Sequence, residues 1–335
     1  MYLEFYGLRE HPFRATPDPK FLYLTPGHRE ALAQLVYGVQ ENKGFVVLTG
    51  EVGTGKTTLL HTLLQKIGDA APVAFIFDPA MSFDGLLEYM LEDWGVPTPG
   101  QTRAQRLFAL NRFLIERRRN GQTAVVIVDE AQNLSAETLE HLRLLSNFET
   151  PAGKLLQIFL VGQPELGEHL ARPELRQLRQ RIGMRCAIRP LTREETRDYI
   201  RSRLAIAGAP DAGLFGDAAI QRIAAYTSGI PRLINILCDH CLVIGYSEQV
   251  RRVERETVER GIEYLEEGRR PARVRGMFWR PAATSLQWLV GGLGAAALAG
   301  LAAVAVGLGG LGGWPGVLVS QISLLAREAR DLVTR

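Results

Sequence analysis

A glycine-rich segment directly after an apolar run limits the possible folds of this chain more than any other feature. The apolar run, residues 45–49, reads FVVLT, and the residues after it fit the pattern G-x-x-x-x-G-K-[ST]. They are Gly50, Glu51, Val52, Gly53, Thr54, Gly55, Lys56, Thr57 and Thr58. Glycines let the backbone curl so that its N–H groups converge on phosphate oxygens. The segment therefore predicts a strand, a phosphate-binding loop and a helix over about 56–67 whose N-terminus favours an anion.

Two side chains of this loop, which we call the P-loop, have predicted roles. Lys56 is expected to reach the β- and γ-phosphates of a nucleotide, and the Thr57 hydroxyl is expected to hold Mg²⁺. The predicted cofactors are therefore ATP and Mg²⁺.

Short apolar runs alternate with helical stretches up to residue 190. The predicted strands are 45–49, 73–77, 124–128, 156–161 and 184–188. The predicted helices among them are 27–42, 56–68, 82–95, 101–120, 135–148 and 164–181. This alternation predicts an α/β fold with a five-stranded parallel sheet. Beyond Pro190 the pattern predicts helices only. A capping box of Thr192 and Glu195 begins the first of them, which extends to about residue 207. The others are predicted over 217–227, 231–247 and 254–267.

Two carboxylates follow the apolar strand 124–128. In open α/β sheets, ligands bind at the carboxyl ends of the strands, which is where Asp129 and Glu130 emerge. Asp129 is expected to hold Mg²⁺, directly or through water. Glu130 is expected to orient or deprotonate the water that attacks the γ-phosphate.

Polar residues elsewhere complete the predicted site. Gln163 follows the strand 156–161 and is expected beside the two carboxylates, where it could sense the γ-phosphate. Arg179 and Arg181 are candidates for a cation delivered to the nucleotide of a neighbouring subunit, although the same run of arginines also fits a solvated basic helix face. Arg232 begins a later helix and could reach the phosphates from the helical region.

Net charge and cysteine content give no support for nucleic-acid binding, a disulfide framework or a metal site. The formal net charge of +3 is too small to argue for nucleic acid by itself, and the three cysteines do not form a disulfide framework. Cys238 and Cys241 have C-x-x-C spacing, but no second ligand pair accompanies them, which favours small residues on a buried helix over a metal site.

An uncharged stretch near the end of the chain predicts a membrane helix. Residues 281–326 contain no charged side chain, and about 286–308 is long and apolar enough to cross a bilayer. Arginines are concentrated before this stretch, so the positive-inside rule places the N-terminal bulk in the cytoplasm. A short hairpin around Trp314 is the alternative to a single crossing.

Together, these features resemble the AAA+ ATPases, and further motifs narrow the resemblance to the GspA/ExeA family. Those motifs are YLEFYGL at 2–8, LRLLSNFET at 142–150, VGQPEL at 161–166 and GIPRLIN at 229–235. The resemblance implies a cytoplasmic ATPase on a single-pass bacterial inner-membrane anchor, which assists assembly of a secretin in type II secretion. It also implies that the N-terminal segment packs near the adenine, with Phe13, Pro17 and Phe21 as candidate contacts.

The predicted organisation follows from these observations. Its parts are an N-terminal Pro/aromatic segment and helix at 1–42, a P-loop core at 43–190, a helical lid at 191–268, a basic linker at 269–283, a transmembrane helix at 284–308 and a short amphipathic tail at 309–335. So short a tail implies a form without the family's periplasmic peptidoglycan-binding domain.

The predicted partners are further copies of the chain, in a ring or dimer with shared ATP sites, and envelope secretion-system membrane proteins. Two alternatives stay open: an ATPase of an exopolysaccharide, exosortase or pilus locus, and a DNA-binding regulator resembling transposition ATPases. The predicted membrane helix argues against a nucleic-acid partner. Glu130 beside Asp129 argues against a nucleotide-dependent scaffold with little ATP turnover.

Overall fold

A computed structural model of the chain describes residues 1–14, 19–77, 81–98, 100–151, 153–211 and 213–267. A parallel sheet of five strands lies at its centre. The sheet strands are β1 (Phe45–Gly50), β2 (Val73–Ile76), β3 (Ala124–Val128), β6 (Leu156–Gly162) and β7 (Ile182–Ile188). A short antiparallel pair, β4 (Glu149–Thr150) and β5 (Gly153–Lys154), lies outside this sheet and was not predicted. The predicted strands and their parallel arrangement are confirmed.

The strand order is β2-β3-β6-β1-β7. Strand β6 therefore lies between β1 and β3, and pairs with both in parallel register. Because the strands are parallel, the segments that follow β1, β3 and β6 meet at one edge of the sheet. This order brings the P-loop, the two carboxylates and Gln163 together.

Helices cover both faces of the sheet. The helices of the first 190 residues are α1 (Tyr2–Tyr6), α2 (Pro26–Gln40), α3 (Lys56–Ile67), α4 (Phe83–Asp93), α5 (Arg103–Arg119), α6 (Ala136–Leu145), α7 (Glu165–Ala171) and α8 (Arg176–Arg181). Helix α1 packs on later helices of the chain rather than on the sheet. Alternate residues of β1 enter different cores, with Phe45 and Val47 on one face and Val46 and Leu48 on the other. This alternation is expected for a central strand with both faces buried.

One predicted helix is wrong. The sequence predicts a continuous helix over 164–181, but the structure breaks it into α7, a 3₁₀ turn (Pro173–Leu175) and α8. Pro173 cannot donate a backbone hydrogen bond, and its ring clashes with the preceding turn of an α-helix, so the chain bends there. Helix α8 ends at Arg181, and the edge strand β7 begins directly after it, at Ile182.

The region after β7 is helical, as predicted. It contains α9 (Arg193–Ile206), α10 (Asp217–Thr227), α11 (Pro231–Ser247) and α12 (Arg255–Glu267), which we call the lid helices. The Thr192–Glu195 capping box is present at the start of α9. Cys238 and Cys241 are fully buried on α11, as expected for core residues, and burial raises the pKa of Cys241 to about 12.

The N-terminal segment belongs to the same apolar core as the lid helices. Tyr2 and Tyr6 of α1 are buried there, as are Phe13 and Phe21. Two hydrogen bonds tie α1 to the lid: the Tyr2 hydroxyl donates to Asp239 Oδ1 at 2.6 Å, and the Tyr6 hydroxyl donates to the Val250 carbonyl at 3.0 Å. The segment preceding α2 therefore packs on helices that come some 200 residues later in the chain.

Phe13→Ala is expected to lower the free energy of unfolding by about 3–5 kcal/mol, the usual cost of removing a buried phenylalanine. Phe13 is 2% exposed and its ring meets Phe215 edge-to-face, with centroids 5.9 Å apart. Denaturant unfolding without nucleotide measures the change. Phe108→Ala, at a side chain that is 75% exposed, is the matched control and should change stability by about 0.5 kcal/mol or less. Equal effects of the two substitutions would contradict the burial of Phe13.

The predicted linker, transmembrane helix and tail (269–335) lie outside the described residues. Among the helices that the structure does describe, none has both the length and the apolar character needed to cross a bilayer.

Candidate functional site

The P-loop adopts a conformation that depends on its glycines. Gly53 and Gly55 have φ angles of 81° and 100°, which side-chain-bearing residues rarely adopt. A Cβ on Gly53 would also lie 2.6 Å from Cβ of Arg232 on the lid helix α11. Helix α3 begins at Lys56, so its N-terminus and the loop amides face the same region.

Lys56 is buried beneath the loop. Its ammonium donates to the carbonyl oxygens of Gly50 at 2.7 Å and Glu51 at 3.1 Å, and the residue is only 6% exposed. Burial lowers the pKa of Lys56, whereas the nearby carboxylates of Glu130 and Asp129 act in the opposite direction. A phosphate at the loop would add further negative charge and favour the charged ammonium.

Asp129 and Thr57 present oxygen atoms to each other at the sheet edge. The Thr57 hydroxyl donates to Asp129 Oδ2 at 3.3 Å, and Asp129 is 7% exposed. Burial raises the pKa of Asp129, and a hydrogen bond from the Glu130 backbone N–H partly offsets this. A hydroxyl and a carboxylate together fit Mg²⁺, which prefers oxygen ligands and keeps several of its waters.

Glu130 is held in an unusual position by two amides. Its φ of 51° is left-handed, a conformation that a non-glycine residue keeps only where its surroundings enforce it. Its Oε2 accepts hydrogen bonds from the side-chain nitrogens of Gln132 at 2.5 Å and Gln163 at 3.2 Å. Gln163 thus lies beside Glu130, as the sequence predicts.

Gln132 is a site residue that sequence reasoning missed. Besides donating to Glu130, it accepts a hydrogen bond from the backbone N–H of Gln163 at 3.1 Å. It therefore joins the segment after β3 to the segment after β6. Its position two residues after Glu130 was the available signal, but the turn that directs it back to Glu130 is not evident from the sequence.

A cavity of about 380 Å³ lies between the P-loop, the N-terminal segment and the lid helices. The P-loop residues from Val52 to Thr58 and Glu130 line one side. Residues before and within α2 and residues of the lid helices contribute to the rest of the lining, which includes Phe21, His28, Tyr199, Arg203, Arg232 and Asn235. Its volume is in the range of small-molecule and cofactor sites.

A buried polar network forms the lid side of this cavity. The guanidinium of Arg203 lies 4.9 Å from the centre of the Phe21 ring and donates to the Tyr199 hydroxyl at 2.8 Å. The Tyr199 hydroxyl in turn donates to Asn235 Oδ1 at 2.9 Å. Arg203 also donates to the Pro12 carbonyl at 2.6 Å. Sequence reasoning missed this network because Tyr199 and Arg203, one turn apart on α9, meet Phe21 and Asn235 from two other parts of the chain, and no motif links them.

The candidate adenine contacts occupy different places. Phe21 lines the cavity, whereas Phe13 packs in the lid core and is not among the lining residues. Pro17 lies outside the described residues. Of the two candidates that the structure describes, Phe21 lies at the cavity and Phe13 does not.

The predicted arginines also differ in position. Arg232 lines the cavity, and its backbone N–H donates to the Gly53 carbonyl at 3.2 Å, which joins the lid to the P-loop. Arg179 and Arg181 are not among the lining residues. Arg179 donates to the Ala171 carbonyl at 3.0 Å, and Arg181 donates to Ser146 Oγ at 2.9 Å and Asn147 Oδ1 at 2.5 Å. Neither arginine contributes to the cavity of its own subunit.

Comparison with known proteins agrees with this geometry. Residues 39–170 match the protein family described as AAA domain. General secretion pathway protein A of Aeromonas hydrophila is 43% identical over 254 residues, which are 76% of this chain and 46% of that protein. An uncharacterized HTH-type transcriptional regulator of Methanocaldococcus jannaschii is 22% identical over 71% of this chain and 53% of its own length. The chain thus spans about half the length of the curated relatives it matches.

Solved structures share the fold. Cdc6p of Pyrobaculum aerophilum has a TM-score of 0.58 at 20% identity, covering 75% of this chain and 71% of its own. The ORC1 protein of Aeropyrum pernix, solved in complex with DNA, has a TM-score of 0.57 at 19% identity, covering 78% of this chain and 70% of its own. At such identities the likeness concerns the fold alone.

Proposed function

Because the chain is a GspA-like protein with an AAA domain, we propose that it binds ATP with Mg²⁺ and hydrolyses it. The observation that carries this proposal is the position of Glu130, which lines the same cavity as the P-loop and is held by two amides. A loop that only bound nucleotide would not require a carboxylate in that strained position. Mg²⁺-dependent phosphate release from ATP, abolished by EDTA, tests the proposal.

Each residue of the site has a proposed part in the reaction. The P-loop amides and Lys56 bind the phosphates, and Thr57 and Asp129 would hold Mg²⁺. When bound, the metal ion neutralises charge that develops on the transferred phosphoryl group. Glu130 orients the attacking water and accepts its proton, while Gln132 and Gln163 fix the carboxylate. Arg232, against Gly53, links the nucleotide to the lid helices.

We further propose that hydrolysis serves an envelope secretion complex. The support is the relative's name, which assigns that protein to general secretion, together with the identity of 43%. The relevant partners are then membrane proteins of such a complex. The predicted helix at 284–308 would anchor the chain in the bacterial inner membrane with the ATPase region in the cytoplasm. Co-purification from detergent extracts with ATP tests this part separately.

A shared site between copies of the chain is part of the proposal. Arg179 and Arg181 lie beside the edge strand β7 and outside the cavity of their own subunit. A position at the sheet edge would let one of them reach the nucleotide of a neighbour, where it would stabilise transition-state charge.

Arg181→Ala is expected to lower ATP turnover of the assembled protein by roughly 10-fold, equivalent to about 1.4 kcal/mol of transition-state stabilisation. The effect should be absent at concentrations where subunits are separate, because the arginine would act on a neighbour. Specific activity measured against protein concentration checks this. Arg176→Ala, an exposed arginine on the same helix, is the matched control. An equal loss in isolated subunits would exclude action between copies.

A further inference from the structure

A buried histidine outside the P-loop motif makes direct contact with the loop. His28 lies in the first turn of α2 and is 6% exposed. Its Nε2 is 3.0 Å from the carbonyl oxygen of Thr54, and its Nδ1 is 2.7 Å from the Thr25 hydroxyl. Both ring nitrogens therefore have partners, and the side chain also lines the cavity.

The partners determine which nitrogen carries the proton. A carbonyl oxygen only accepts hydrogen bonds, so Nε2 must be the donor to Thr54. In a neutral imidazole Nδ1 is then an acceptor, which the Thr25 hydroxyl can satisfy by donating. The same hydroxyl accepts from the His28 backbone N–H at 3.2 Å and caps the helix. The Thr25 hydroxyl thus both caps α2 and favours the His28 tautomer that is protonated on Nε2.

The contact with Thr54 also sets the direction of the next amide. The described peptide bonds are trans, and in a trans peptide the C=O and N–H groups point in opposite directions. Holding the Thr54 carbonyl toward His28 therefore turns the N–H of Gly55 away from His28. Gly55 lines the cavity and begins the turn into α3, where backbone N–H groups bind phosphate.

The backbone preference of Gly55 does not by itself fix the orientation of the peptide that joins it to Thr54. Its φ of 100° lies in a region that glycine visits freely, so local backbone preference alone does not hold the peptide in one orientation. Thr54 is 1% exposed, and its hydroxyl donates to the Glu51 carbonyl at 2.8 Å, which fixes the side chain rather than the carbonyl. The hydrogen bond from His28 supplies the missing restraint.

We propose that His28 is a positioning residue for nucleotide binding, which orients the Gly55 amide toward phosphate by holding the Thr54 carbonyl. The inference rests on the proposed ATP site. It adds a residue from the N-terminal part of the chain to the phosphate-binding machinery. It also makes the geometry of the P-loop depend on how the start of α2 is packed.

The test compares three substitutions of His28 in the full chain, with ATP affinity measured by calorimetry. His28→Ala should weaken ATP binding about 10-fold, the effect of one lost hydrogen bond. His28→Gln should retain affinity within about 3-fold, because its amide nitrogen can occupy the position of Nε2. His28→Asn should behave like alanine, because the shorter side chain reaches only the position of Nδ1. Melting temperatures establish that the variants are folded.

Controls separate this inference from the function on which it rests. His141→Ala removes a partly buried imidazole that stacks on Phe83 and does not line the cavity, so it should leave ATP affinity unchanged. Wild-type affinity in His28→Ala, failure of His28→Gln to restore binding, or equal restoration by His28→Asn would overturn the proposal. Wild-type affinity in Lys56→Ala would instead overturn the nucleotide site itself.

Discussion

Lys56→Ala is expected to abolish ATP binding at ordinary concentrations, raising the Kd by about 100-fold or more. Removing one partner of a buried, hydrogen-bonded charge pair costs about 2–5 kcal/mol, and each 1.4 kcal/mol is a factor of ten. The ammonium is buried at the start of α3, and within the described residues it donates to loop carbonyls. Calorimetry with ATP and Mg²⁺ measures the effect.

The same substitution has a structural consequence that must be measured alongside. Without the ammonium, the carbonyls of Gly50 and Glu51 each lose one hydrogen bond, which removes a restraint on the loop, although the Thr54 hydroxyl still donates to the Glu51 carbonyl. Lys56→Met approximately keeps the volume of the side chain and removes both the charge and the hydrogen-bond donors of the ammonium. Lys66→Ala, at an exposed lysine in the last turn of the same helix, is the matched control. ATP affinity equal to wild type in folded Lys56→Ala would show that this loop does not bind nucleotide.

Glu130→Gln is expected to bind ATP as wild type does and to reduce its turnover by about 10²–10⁴-fold. A positioned general base contributes about this factor, and an amide cannot accept the proton of the attacking water. The substitution preserves shape, and the new carbonyl can still accept from Gln132 and Gln163. Binding by calorimetry and phosphate release under single-turnover conditions separate the two effects.

A nearby carboxylate provides the control for charge. Glu165 begins α7 just beyond β6 at the same edge of the sheet, and its charge acts on Lys56. It does not line the cavity, so Glu165→Gln should leave turnover within about 3-fold of wild type, less than 1 kcal/mol. Unchanged turnover in Glu130→Gln would remove Glu130 from the proposed water-activating role. An ATP-bound, inactive variant would also be the reagent for capturing partners.

The sequence predicted the sheet and its polar edge well, because those signals are local. Each strand is an apolar run between turns, and Gly50, Asp129 and Gln163 lie at or directly after strand ends. Parallel strands bring their carboxyl ends to one edge, so the pattern by itself implies proximity. The prediction of one helix over 164–181 gave too little weight to Pro173, which removes a backbone donor.

Side chains that act through other side chains could not be found this way. Gln132 depends on a 3₁₀ turn after β3, and His28 on the packing of α2 beneath the P-loop. A polar residue beside a motif is often simply exposed to solvent. Only the three-dimensional structure shows whether its side chain instead contacts a residue of the site. The placement of Phe13 shows the reverse case, since an aromatic residue expected at the nucleotide completes the lid core.

The sequence alone thus determined the P-loop side of the site, because a strand, a glycine-rich loop and a helix form within one short segment. It also determined the position of the two carboxylates, since both follow β3, whose direction is fixed by the fold class. Only the tertiary structure decided the rest of the cavity lining, where Arg203 lies against Phe21 and is joined to Asn235 through the Tyr199 hydroxyl. Such residues are far apart in the chain, and the packing that unites them depends on the whole lid core. No local sequence pattern predicts that packing.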